Sequence, residues 1–366
     1  MVHTVEASLL IAILAILFCI NYLQNRKQEE TFNGDFYLST NVSTALKGLM
    51  AIVIICHHYC LYRYDLVEHI KYFTFIISQN GGNFSLIGFL FLSGYGVTKS
   101  EIARLNAPKS FFKKRIWKIL KPFLIIYGIT FVVYLFFTPY EITESYIKDN
   151  HLNPFLAAIS SHKISPGLIL NWFCFKMDWY VYTTLIMYVL FYLSSYIIKG
   201  NDDVSYSKKI SVLVILTVIY YLVCCYIYTP NEAHYYRNLW AFVLGSVMAY
   251  KPRLLCSNII IVLMVFIILM AFNYYREGHL YVLASLGALF VLIILGYTNY
   301  RFDINSKSLL YLGGISYYLY LSHRMFYNVL CVTENLSFPL FVVLSIAFAI
   351  IYNKLAKIKI NVRNNK

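Results

Sequence analysis

Charge is scarce in this chain. Of its 366 residues, 13% are Asp, Glu, Lys or Arg and 60% are hydrophobic, with a mean hydropathy of +0.62. A soluble domain of this size is near half apolar and a quarter charged, so the composition argues against one and predicts a membrane protein. Acidic residues are the scarcest charges, 17 against 31 Lys and Arg, for a formal net charge of +14. That excess needs no nucleic-acid partner, because the basic residues fall in short segments between apolar runs, the pattern of cytoplasmic loops. CxxC pairs and histidines at zinc-finger spacing are also missing. The eight cysteines read as small core hydrophobes, and no metal site is expected. No solenoid-period repeat and no low-complexity segment occurs.

What is present is a series of apolar runs, at about 6–23, 45–63, 83–98, 119–138, 179–198, 210–228, 238–250, 258–273, 280–297, 309–330 and 337–353. They predict an all-α, polytopic membrane bundle of about eleven helices, several of them short for a bilayer core about 30 Å thick. The first run, Ala7 to Leu23, has its basic residues Arg26 and Lys27 after it, so it reads as a retained span and not as a cleaved signal. With the N-terminus outside, the inner segments 24–47, 99–121, 199–209, 251–257, 298–308 and 354–366 hold 23 of the 31 Lys and Arg residues. The expected protein is therefore a multi-pass plasma-membrane (cell inner membrane) protein with its C-terminus in the cytoplasm. The organisation expected is an added N-terminal span with its linker (1–39), a main membrane domain (40–353) and a basic cytoplasmic tail (354–366).

Four stretches carry chemistry. The first is KGLMAIVIICHHYC, 47–60. Lys47 and His58 are eleven residues apart, 20° from eclipsed after three turns and separated by about 16 Å of rise, so they share a stripe. His57 points about 80° away from it. Lysine snorkelling with both histidines at an interface is the bland alternative. An ionisable residue within a span more often faces a pathway, and histidine is suited to act as a general base near neutral pH.

The second is FLFLSGYGVTKS, 89–100, followed by KSFFKKRIWKILKP, 109–122. Ser93, Gly94 and Gly96 offer close backbone approach. Lys113, Lys114, Arg115, Lys118 and Lys121 suit either inner-headgroup anchoring or a phosphate-rich soluble ligand. The third is LGGISYYLYLSHRMFY, 312–327, where Ser316, Tyr320 and His323 form a polar stripe and Arg324 is hard to explain as structure alone. The fourth is MDWYVYTTLIMY, 177–188, where Asp178 reads as a helix cap and Trp179 as an interface anchor. From these residues alone, an enzyme and a proton-linked secondary transporter of a polar or anionic solute both remain open. The spans lack the paired Gly/Pro interruptions in corresponding halves that would favour the transporter.

In order and spacing the stretches resemble the integral-membrane acyltransferase type 3 family. The matches are Lys47 and His58 with ten residues between; Phe91, Ser93 and Gly94; Arg115, Lys118, Ile119 and Pro122; Trp179 and Tyr180; Phe242 and Gly245; and Ile315, Ser316, Tyr317, Tyr320, Leu321 and His323. The resemblance covers about residues 40–352, with lysine at 47 and 118 and Arg324 as departures from the usual residues. The lysine-glycine opening is similar to the fucose O-acetylase and exopolysaccharide-modifying branch. The resemblance implies transfer of an acyl group, most simply acetyl, from cytosolic acyl-CoA as co-substrate to a hydroxyl of a glycan or lipid-linked saccharide. It implies His58 and Lys47 as catalytic residues and Arg115, Lys114, Lys118, Ser93 and Gly94 as the acyl-CoA site. His323, Arg324, Tyr320 and Trp179 would then meet the acceptor, recognised from the outer loops 64–82 and 139–177. The bilayer and other members of a polysaccharide assembly pathway are the expected surroundings.

Overall fold

A computed structural model describes residues 38–62, 71–103, 108–138, 155–161, 165–167, 178–200, 202–227, 236, 238–250, 307–335 and 337–364. The expected spans 6–23, 258–273 and 280–297 lie outside the described residues. Within them the chain is helical, without strands. The helices are α1 (Thr40–Tyr62), α2 (Lys71–Ala103), α3 (Pro108–Phe137), α4 (Phe155–Ser160), α5 (Trp179–Ile197), α6 (Asp203–Ile227), α7 (Leu239–Tyr250), α8 (Lys307–Val332) and α9 (Phe338–Asn364). Among the described residues, five stretches are long and apolar enough to cross a membrane: Thr40–Leu61, Lys114–Phe137, Trp179–Ile197, Asp203–Ile227 and Phe338–Ala356. The protein is a multi-pass helical membrane bundle.

Two expected boundaries change. The short span at 83–98 is part of α2, a single helix of 33 residues, so more than half of the segment expected as an outer loop at 64–82 is helical. The helix runs through the NGGN sequence at 80–83. The reason is packing: a side chain at Gly82 would strike the ring of His57 on α1. The second change concerns Pro122, which stands well inside the 30-residue α3 and not at the start of a span. Proline removes the N–H that would bond the carbonyl of Lys118 and loosens that turn. The next carbonyl, Ile119 O, accepts from Tyr317 Oη of α8 at 2.9 Å. At the end of the chain α9 continues through the basic tail to Asn364. In the expected loop 139–177, α4 buries Leu156 and Ile159 in the core.

Two glycine seams hold the centre together. On α1 and α8, a Cβ at Gly48 would collide with the carbonyl of Leu309, and one at Gly313 with the carbonyl of Thr44. On α2 and α7, Gly94 stands against the carbonyl of Phe242 and Gly245 against that of Phe91. Small residues let backbones touch where lipid supplies no hydrophobic drive for helix pairing. Both pairs run parallel. The C-terminal ends of α2 and α7 meet beside Thr98, Glu101 and Tyr250, and the seam of α1 and α8 leads along both helices to His58 and His323. At the α2 and α7 end, Glu101 takes Lys209 Nζ of α6 (2.8 Å) and Ser195 Oγ of α5 (3.1 Å), clasping three helices.

Candidate functional site

The site begins with a register. Gly48 and Gly313 pack together, and ten residues further along each helix stand His58 and His323. Ten residues is about 15 Å of rise on either helix, so the seam carries the two imidazoles to one level. His323 Nε2 and His58 Nδ1 are 3.3 Å apart, and the ring centroids are 4.7 Å apart at 68°. His323 is 2% exposed, while His58 is half-buried.

The hydrogen-bond partners assign the protons. His58 Nδ1 lies 3.0 Å from Ile54 O, and His323 Nδ1 lies 3.2 Å from Leu319 O. A backbone carbonyl only accepts, so in the neutral rings both Nδ1 atoms carry hydrogen and both Nε2 atoms carry a lone pair. The His58 Nδ1–H therefore faces an acceptor on His323 as well as Ile54 O, and His58 Nε2 is left as the basic nitrogen. This is the arrangement a proton acceptor needs, a ring whose other nitrogen is held as a donor. His57 meets His58 edge-on, with centroids 5.0 Å apart, and lies over Gly82.

Behind this pair is a buried carboxylate. Asp178 caps α5 by accepting from the Val181 N–H at 3.1 Å, as its place in the sequence predicts. It also accepts from Tyr127 Oη of α3 (3.0 Å) and Tyr320 Oη of α8 (2.8 Å). The Tyr320 ring packs on Tyr180, with centroids 5.0 Å apart, and on His323 at 5.7 Å. Arg324 lies within electrostatic range of Asp178, Tyr127, His58 and His323. The stripe Ser316, Tyr320 and His323 thus turns inward as a unit. Trp179, half-buried, stands beside Tyr180 with centroids 6.4 Å apart.

The basic residues gather elsewhere. Lys47, half-buried, is within electrostatic range of Arg115 and Lys118. Arg115 Nη2 donates to Ser100 Oγ at 2.6 Å, which ties the start of α3 to the end of α2. Lys114 and Lys118 are exposed. Between the cationic group and the imidazoles, Ser93 is within hydrogen-bonding reach of the Tyr180 and Tyr188 side chains. Its neighbour Gly94 faces the backbone of α7.

Of the residues singled out in the sequence, the structure brings Lys47, Arg115 and Lys118 together at one level. It brings His58, His323, Tyr320 and Arg324 together at the other. Tyr320 and His323, expected at the acceptor, direct their polar atoms at Asp178 and His58. Sequence reasoning missed Tyr127, Ser100, Gly82 and the larger part of Asp178. A rare carboxylate at the mouth of an apolar run was a signal for Asp178, whereas Tyr127 is one of 35 tyrosines. Among the described residues, no three His, Cys, Asp or Glu side chains are grouped to hold a metal ion.

The arrangement offers a proton acceptor inside the bundle and a cation cluster about 16 Å away along the same helix. No curated protein and no solved structure matches the chain. Residues 43–354 match the family model described as an acyltransferase domain, a span that holds every one of these side chains. The chain belongs to the acyltransferase type 3 family and is a membrane acyltransferase.

Proposed function

We propose that the protein is an O-acetyltransferase of the plasma membrane. It takes the acetyl group of cytosolic acetyl-CoA and places it on a hydroxyl of an exported polysaccharide or glycolipid precursor. The observation that carries this reading is the contact between His58 and His323, with the Nδ1 atom of each ring against a backbone carbonyl oxygen.

The donor binds by its phosphates at the cation cluster. Arg115 supplies the planar fork that matches phosphate oxygens, with Lys47, Lys114 and Lys118 adding charge. Its pantetheine arm then runs past Ser93 and Gly94 toward the imidazoles. The distance from Lys47 to His58 is about half the hydrocarbon thickness, so one helix links a donor entering from the cytoplasm to an acceptor presented from outside. His58 Nε2 removes the proton of the acceptor hydroxyl as its oxygen attacks the thioester carbonyl. The carbon–sulfur bond breaks, and the CoA thiolate leaves with the proton that His58 gives back. The products are the acetyl ester and the free thiol, and the enzyme returns to its starting state. His323 keeps the His58 ring in the useful tautomer through its Nε2 lone pair. Arg324 and Trp179 stand where the acceptor would arrive. In this orientation the N-terminus is outside and the basic tail lies in the cytoplasm.

The test uses purified protein in lipid with radiolabelled acetyl-CoA and an extracted surface glycan. Label is expected to reach the glycan, and His58→Ala is expected to stop it. Movement of solute across the vesicle wall without label transfer would refute the reading in favour of a transporter.

A further inference from the structure

Asp178 has more partners than a helix cap requires. Capping α5 takes the Val181 N–H alone, and an exposed aspartate does that as well as a buried one. Here the residue is 6% exposed and is the only buried acidic side chain among the described residues. Two tyrosines from two other helices, Tyr127 and Tyr320, donate to its separate oxygens. Burying a carboxylate is costly unless it is hydrogen-bonded and balanced by charge, so a site that keeps one has a use for it.

Its surroundings suggest that use. Tyr320 stands one helical turn before His323 and packs against its ring, while its hydroxyl is tied to Asp178. Asp178 therefore fixes the wall on which His323 rests, and His323 in turn faces His58 Nδ1. Charge points the same way. Arg324 is within electrostatic range of both His58 and Asp178. Once His58 has taken a proton, an imidazolium and a guanidinium share a low-dielectric interior, where like charges repel strongly. Asp178 is the anion placed to balance them.

Building on the proposed role of His58, we propose that Asp178 is a positioning and charge-balancing residue for acyl transfer. It holds His323 through Tyr320 and stabilises the imidazolium formed on His58. Three donors on the two oxygens is the coordination of a carboxylate, and Asn in its place keeps acceptor capacity on one oxygen only.

The experiment compares wild type, Asp178→Asn, Asp178→Glu, Tyr320→Phe and His58→Ala in lipid, measuring kcat, KM for acetyl-CoA and direct acetyl-CoA binding. Asp178→Asn should lower kcat about 10- to 100-fold, part of the 10²–10⁴ that a general base supplies. KM and binding should stay within about twofold, because Lys47 of the cation cluster lies about 16 Å along α1 from His58. Asp178→Glu should recover part of kcat. Should Asp178→Asn fail to fold, as loss of its cooperative thermal unfolding in detergent would reveal, Tyr320→Phe carries the test. It keeps the ring on His323 and loses only the tie to Asp178, and it should lower kcat with binding unchanged. Wild-type kcat in either folded variant overturns the inference, as does a fall in kcat matched by an equal loss of binding. Retained activity in His58→Ala would instead overturn the proposed function itself, whatever Asp178 does.

Discussion

His58 Nδ1 and His323 Nε2 lie 3.3 Å apart because Gly48 and Gly313, ten residues before each of them, let two parallel helices touch. The 265 residues that separate the histidines in sequence are bridged by a seam of backbone against backbone. The chemistry of the site and the packing of the bundle are therefore one construction.

That link makes the seam testable. Gly313→Ala places a methyl group on the carbonyl of Thr44, where only movement of a whole helix can make room. Overpacking of this kind costs about 1–3 kcal/mol. Thermal unfolding in detergent should show that loss, and acyl transfer should fall further than stability does, because the two imidazoles separate. Gly314→Ala next to it, where a Cβ meets nothing within 4 Å, should be silent in both assays.

His323→Phe keeps a buried ring but removes the acceptor that faces His58 Nδ1. We expect a fall in kcat of about 10-fold or more with acetyl-CoA binding unchanged, a share of the general-base contribution. Steady-state kinetics with a parallel binding measurement checks this.

At the other level, Arg115→Ala should weaken acetyl-CoA binding and leave acceptor binding intact. Ser100→Ala, which frees the guanidinium from its 2.6 Å tie, should have a smaller effect in the same direction. Because the cluster of Lys47, Arg115 and Lys118 acts by charge, wild-type affinity should fall as salt is raised, and less steeply in Arg115→Ala. A titration of binding at several ionic strengths reads both.

The clasp between Glu101 and Lys209 gives a stability prediction. Lys209 is 8% exposed at its side chain and Glu101 20%, so removing one partner strands a largely buried charge. Glu101→Gln should cost at the low end of about 3–5 kcal/mol, and the double variant with Lys209→Met should recover much of it. Thermal unfolding of the two variants decides this.

Part of the site was legible in the sequence. Helical periodicity put Lys47 and His58 on one stripe, and turned Ser316, Tyr320 and His323 to one face. Both arrangements stand in the structure, because spacing along one helix is a local property. What joins those stripes is not local. Nothing in the order of residues says that His58 will face His323, or that Asp178 will collect hydroxyls from α3 and α8. The glycines depend on the fold in the same way. NGGN reads as a turn when the chain is considered alone, and becomes helix interior once His57 occupies the space above Gly82. Likewise Gly94 and Gly245 follow a family pattern in the sequence, and in the fold they stand on the seam between α2 and α7.

The most direct measurement sets His58→Ala against His57→Ala, following transfer of labelled acetyl from acetyl-CoA at matched membrane abundance. The two residues are adjacent and half-buried, but His57 lies over Gly82 while His58 meets His323, so a difference between them isolates the ring that faces His323. The account predicts that His58→Ala abolishes transfer and that His57→Ala keeps most of it. Transfer that survives in His58→Ala and disappears in His57→Ala would contradict it.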